Sequence, residues 1–248
     1  MKNIRKVFTG IIACILMATG LYFLKTKEAQ PVNKFNEQLA TFEKKAWDSL
    51  ATVGVNKDEC LAEIIPTEKQ YNKMHAKKTR ISQKLSKKTI NLAKEVLSSF
   101  GIDPNSISIQ PIDSSSPAEV EEDTLFINEK ELHSLPENAQ KFVLGHEAQH
   151  ILHKDCFCKA AIDNLSNQKL DWESPRSDYP LNEFSRFIEW RADIKAAMAG
   201  PDYAQGYIEF AQMRNASEPY DDDEETSHPL FKNRVAMAKE IYATFQTA

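Results

Sequence analysis

Residues 145–150 read GHEAQH. On a helix, His146 and His150 stand about one turn apart on one face and can offer two nitrogens to a single ion. Glu147 points about a third of a turn away. It is badly placed as a third ligand on that face and well placed to take a proton from a water beside the ion. The flanking sequence supplies the helix. Ser134 and Glu137 read as a capping box, Pro136 suits a first turn, and Phe142, Val143 and Ile151 form an apolar stripe, which predicts a helix over 135–154.

A catalytic zinc takes a third protein ligand and keeps one position open. The candidate is Glu189 in FIEWRADIK, on a second strong helix opening near Asn182 and closed by Gly200-Pro201. Asp193 lies four residues on, on the same face, placed to accept from the far ring nitrogen of His146 or His150. His153 extends the motif but is expected as a supporting or surface histidine. A site built from Cys156, Cys158 and His150 lacks the usual cysteine spacing.

Around this centre the periodicity predicts helices over 35–50, 79–100 and 203–214, and a last helix from about residue 227. SISIQ, around Ile107 and Ile109, and TLFIN, 124–128, read as strands. Residues 113–122 and 155–180 read as loops, the latter for Pro175, Pro180 and scattered polar residues. Only seven glycines among 248 residues favours helices over turn-rich β structure.

The formal net charge of −5 offers nothing for nucleic acid. Charge is uneven. Lysines and one arginine crowd 73–94, a face to be solvated or to rest on anionic lipid, and 221–225 is five acids in a row. Lys2, Arg5 and Lys6 precede Val7–Leu24, eighteen residues without a charge. That length reads as an uncleaved membrane anchor, with a cleaved signal peptide as the rival. The more basic end in the cytoplasm would place 25–248 outside it. Cys60 could pair with Cys156 or Cys158 in such a compartment, or all three could be buried thiols.

HEAQH, then EWRAD, then SHPLFKNR, in that order, resemble the M48 family of membrane-associated zinc metallopeptidases. The lead-in TLFINEKELHSLPENAQKFVLGHE is similar too, and the resemblance covers about 105–245. The chain departs where members usually carry an Asn-Ala-Phe-like stretch; Ser114–Val120 here reads SSSPAEV. The resemblance implies zinc on His146, His150 and Glu189, Glu147 as general base, and Asp193 behind a ligand histidine. It implies that strand 124–128 is the edge along which an extended peptide pairs, and that His228 and Arg234 line the cleft. His228 would then be an oxyanion donor or a fourth ligand holding the enzyme latent; as a residue, it is also a plain helix cap.

The expectation is an α+β fold, mainly helical, with a small sheet: a zincin-like metallopeptidase domain preceded by a membrane helix. Residues 1–24 would be the anchor, 25–100 a linker and helical region, and 101–248 the catalytic domain. The function expected is zinc endopeptidase, with protein or peptide substrates, no nucleic acid, and a single-pass, extracytoplasmic, periplasm-like location. The alternatives are a tethered chaperone-like or binding module that keeps the zinc site with a plugged cleft, or a tethered structural helical domain in which the motif is accidental.

Overall fold

The computed structural model describes residues 33–64, 84–169, 179–217, 229 and 231–247. The anchor segment, the acidic run and His228 lie outside them. Among the described residues no helix is long and apolar enough to cross a membrane.

The described residues form a mainly helical fold with one three-stranded sheet. The helices α1 (33–51) and α2 (57–64) come first. They are followed by α3 (Lys87–Ser99), β1 (Ser108–Pro111), β2 (Ala118–Glu121), β3 (Thr124–Ile127), α4 (Glu129–Ser134), α5 (Glu137–His153), α6 (Asp155–Lys169), α7 (Tyr179–Ala197), α8 (Pro201–Ser217) and α9 (Phe231–Gln246).

The helix carrying GHEAQH is α5, and it is the centre of the molecule. It packs against α8, α7, α3, α6 and the sheet. Ala139, Phe142, Val143, Leu144, Gly145, His146, Ala148 and Gln149 are all buried, covering nearly the whole circumference, as a core helix requires. Gly145 lies under the edge-to-face pair of Phe100 and Tyr203, whose centroids are 5.4 Å apart. A Cβ there would sit 3.0 Å from the Phe100 ring.

Several boundaries differ from the sequence reading. Ser134 does not cap α5. Its hydroxyl donates to the Glu131 carbonyl and closes α4, and α5 begins after Pro136 with no side-chain cap. Helix α3 starts at Lys87, where Ser86 accepts from the Thr89 amide and Glu129 accepts from the Ser86 amide. Residues 155–169, expected as loop, are α6. Lys154 adopts the left-handed conformation at φ 53°, and its amide donates to His150 and Ile151. The next helix therefore starts at once. Phe157, Ala161, Ile162 and Leu165 are buried at helical spacing, a stripe that the prolines downstream obscured.

The sheet order is β1-β3-β2, with β1 parallel and β2 antiparallel to β3. Residues 118–121, expected as loop, are thus a strand. Strand 124–127 is paired on both sides and is not the edge along which a peptide could add; β2 is an edge, and it faces the cleft described below. The reason is the tight β2–β3 turn through Glu122, at φ 56°, which lays Ala118 opposite Ile127.

Among the described residues two hydrophobic clusters form. The larger joins α3, the sheet, α5, α8, α9 and the start of α1 through residues such as Phe35, Leu97, Leu125, Phe142, Ile194 and Tyr207. The smaller joins the end of α1, α2, α6 and the first half of α7 through Leu50, Cys60, Ile162, Phe184 and Ile188. The chain before residue 100 therefore contributes to both. Cys60, Cys156 and Cys158 are free thiols. Cys60 donates to the Cys158 carbonyl at 3.9 Å, whereas Cys156 lines the cleft.

Candidate metal centre

His146 and His150 project from α5 toward α7, which supplies Glu189. One ligand atom of each lies within 4.8 Å of the others. The Nε2 atoms of the two histidines are 2.9 Å apart, and Glu189 Oε2 is 3.3 Å from His146 Nε2. Two ring nitrogens facing each other this closely repel unless a proton or a cation lies between them. The third donor is anionic and comes from a separate helix. Two imidazoles and one carboxylate, with a cleft beside them, are a donor set that could hold a metal ion.

Each histidine is oriented from behind. His146 Nδ1 is 2.8 Å from Asp193 Oδ1, and His150 Nδ1 is 2.8 Å from Asp155 Oδ2. A proton on Nδ1 of each ring, donated to the carboxylate, leaves both Nε2 lone pairs aimed inward. Asp193 is fully buried. It also accepts from Arg234 at 2.6 Å and from the Tyr207 hydroxyl at 2.8 Å. Burial alone would raise the Asp193 carboxyl, but the Arg234 charge and His146 outweigh it and hold it below the ordinary value. Tyr207 is pushed well up, first by burial and then by the Asp193 charge. Burial opposes a charged His146 ring, yet Asp193 and Glu189 together lift it to about 10. The pocket thus favours a positive charge at this point, and a divalent cation is one way to provide it.

Glu147 lines the cleft beside the histidines. Burial raises its carboxyl above the ordinary range, while the histidine charges oppose the shift and Glu189 and Glu119 add to it. A carboxylate moved toward neutrality in this way is a better general base. The cleft measures about 860 Å³. Residues 115–120, including β2, form one wall and α6 another, and Phe210, Arg214 and Arg234 line it as well. Pro229, the neighbour of His228, is buried and also lines the cleft.

The structure therefore brings together His146, Glu147, His150, Glu189, Asp193 and Arg234. Asp193 serves His146. Arg234 is more than a cleft residue, because its guanidinium is buried against Asp193. His153 is exposed and outside the ligand group, and Cys156 and Cys158 do not join it. Asp155, Arg191 and Tyr207 escaped the sequence reading. Asp155 sits five residues past His150, beyond a left-handed turn, so no helical spacing links them. Comparison of the chain with protein-family models, with curated proteins and with solved structures gives no match.

Proposed function

We propose that this chain is a zinc-dependent endopeptidase of the M48 kind, tethered to a membrane by Val7–Leu24 with its catalytic domain outside the cytoplasm. The observation that carries the proposal is the convergence of His146, His150 and Glu189, with Nδ1 of both histidines committed to buried carboxylates and Glu147 at the same cleft. A site made only for structure would close around its ion; this one opens onto space sufficient for a peptide.

The geometry is compatible with the following roles. His146, His150 and Glu189 would hold zinc, which supplies Lewis acidity toward a peptide carbonyl and makes water more acidic. Glu147 accepts the proton of the attacking water and passes it to the leaving amine. Strand β2 offers main-chain groups along which an extended substrate can align. His228 would act as a latch or an oxyanion donor, and Arg234 holds Asp193 behind His146.

The test has two arms. Purified protein should contain about one zinc per chain. Glu147→Gln should retain that zinc and lose cleavage of an unfolded protein. Loss of the ion in Glu147→Gln would make Glu147 a ligand or a structural residue. Zinc without cleavage in the unmodified protein would favour the binding-module alternative. For the tether, protease admitted past the outer barrier of intact cells should digest residues 25–248, and full protection would reverse the orientation.

A further inference from the structure

The two ligand histidines are supported in the same way from different parts of the chain. His146 leans on Asp193, which carries Arg234. His150 leans on Asp155, which carries Arg191. Asp155 lies outside every motif, and Arg191 is the middle residue of EWRAD, with no role attached to it. Asp155 is the first residue of α6 and is 3% exposed, and its salt-bridge partner Arg191 comes from α7. An acid in the first turn of a helix is ordinarily explained by the helix dipole alone. Here its oxygens are otherwise engaged: Oδ2 is 2.8 Å from His150 Nδ1, and Oδ1 accepts from Arg191. Arg191 in turn lies over the Phe187 ring, 5.0 Å from its centroid, which fixes the guanidinium.

We infer that Asp155, held by Arg191, is a positioning residue for His150: it fixes the Nδ1–H tautomer and the ring plane that aim Nε2 at the metal. The inference rests on the metal-centre reading above. Removing Asp155 frees His150 to take the other tautomer or to rotate, and the ion loses a prepared ligand. A carboxylate behind a ligand histidine is typically worth about 10- to 100-fold in metal affinity. Arg191 has a second duty. It neutralises the buried Asp155 carboxylate, whose other oxygen still meets His150, so its loss should weaken the ion's binding by a smaller factor.

The experiment measures zinc affinity by competition with a chromophoric chelator, and the visible spectrum of the cobalt-substituted protein. Asp155→Ala should bind zinc about 10- to 100-fold more weakly and alter the cobalt band. Asp155→Asn keeps an acceptor oxygen and should recover part of the loss. Asn164→Ala, an exposed change on the same helix, should bind as the unmodified protein does. Equal affinity and an unchanged cobalt spectrum in Asp155→Ala overturn the inference while leaving the metal centre intact. Failure of the unmodified protein to bind zinc overturns the metal centre itself. If Asp155→Ala does not fold, Asp155→Asn and Arg191→Gln decide. Weaker zinc binding in both, with zinc-free melting close to normal, supports the role, and undiminished binding in both refutes it.

Discussion

Replacing Gly206 with alanine sets two known effects against each other. Gly206 lies inside α8, and alanine in a helix interior is favoured over glycine by roughly 1 kcal/mol. Against that, a Cβ at this position would lie 2.0 Å from the Asn138 carbonyl oxygen and 2.4 Å from its carbon. Those are backbone atoms of the first turn of α5, so no side-chain rotation can clear them. Restoring an ordinary carbon contact of about 3.5 Å requires α8 to withdraw by roughly 1 to 1.5 Å. Overpacking of this kind costs about 1–3 kcal/mol and sometimes more. With two long helices to part, the upper end applies, and the net loss is about 2 kcal/mol. For a chain of this size that is a melting temperature lower by roughly 4–8 °C. The withdrawal also carries away Tyr207, whose ring stacks on Phe142 at 4.6 Å and whose hydroxyl reaches Asp193 at 2.8 Å. Zinc affinity should therefore fall together with stability. Gly145→Ala is the comparator. The nearest atoms to its new methyl are ring atoms of Phe100 and Tyr203 at 3.0–3.1 Å, and rings can give by a few tenths of an ångström. Thermal melting followed by circular dichroism, with a zinc titration of each variant, reads both effects. A Gly206→Ala protein that melts at or above the normal temperature would refute the reasoning, since propensity would then outweigh contact.

The other predictions are these. His228→Ala should cleave an unfolded protein faster, with zinc content unchanged, if the residue is a latch; slower cleavage with zinc retained assigns it to the oxyanion, and an unchanged rate leaves it as a cap. Alkylation near pH 8 should label Cys156, which lines the cleft, before Cys60 and Cys158, whose thiols burial pushes up to about 12 and about 11; equal rates by mass spectrometry would contradict the packing of α2 on α6. Glu129→Gln should cost about 1 kcal/mol at pH 7. Hydrogen bonds from Ser86 and Thr89 hold the Glu129 carboxyl below its ordinary value of 4.5. Its contribution is thus present above about pH 4.5 and lost as pH falls through the depressed folded value. Denaturant melts at pH 7 and in acid should show the gap between variant and native protein closing, and a constant gap would count against it.

The convergence of the candidate ligands was legible because helices repeat. A spacing of four puts His146 over His150, and Glu189 over Asp193, wherever those helices pack. The supporting cast was not, because it depends on turns and on pairing. Asp155 reaches His150 only because Lys154 takes a left-handed conformation, which nothing in its residue type announces. Strand β2 was hidden because its four residues alternate alanine and valine with two glutamates, a weak signal that becomes a strand only when β3 lies beside it. Ser134 and Glu137 have capping-box spacing, yet the chain spends Ser134 on ending α4. Which of the two histidines Asp193 would serve was equally unreadable, since it is set by how α7 lies on α5.

The position of Glu189 explains why so much of the chain is committed to the site. Along α7, Phe184, Phe187 and Ile188 belong to the smaller cluster, and Ile194, Ala196 and Ala197 to the larger. Glu189 falls at the changeover. The two carboxylates behind the histidines divide in the same way. Asp193 is tied to α8 and α9 through Tyr207 and Arg234, while Asp155 begins α6, which rests on α1 and α2 through the smaller cluster. Three donor atoms held to within 4.8 Å thus take their positions from two separately packed bodies of side chains. A slip of one against the other by about an ångström would part Asp155 from His150 and spread the donor set, because packed cores shift as units and do not deform continuously. The N-terminal helices α1 and α2, remote from the chemistry in sequence, are in this sense part of what keeps the centre in register.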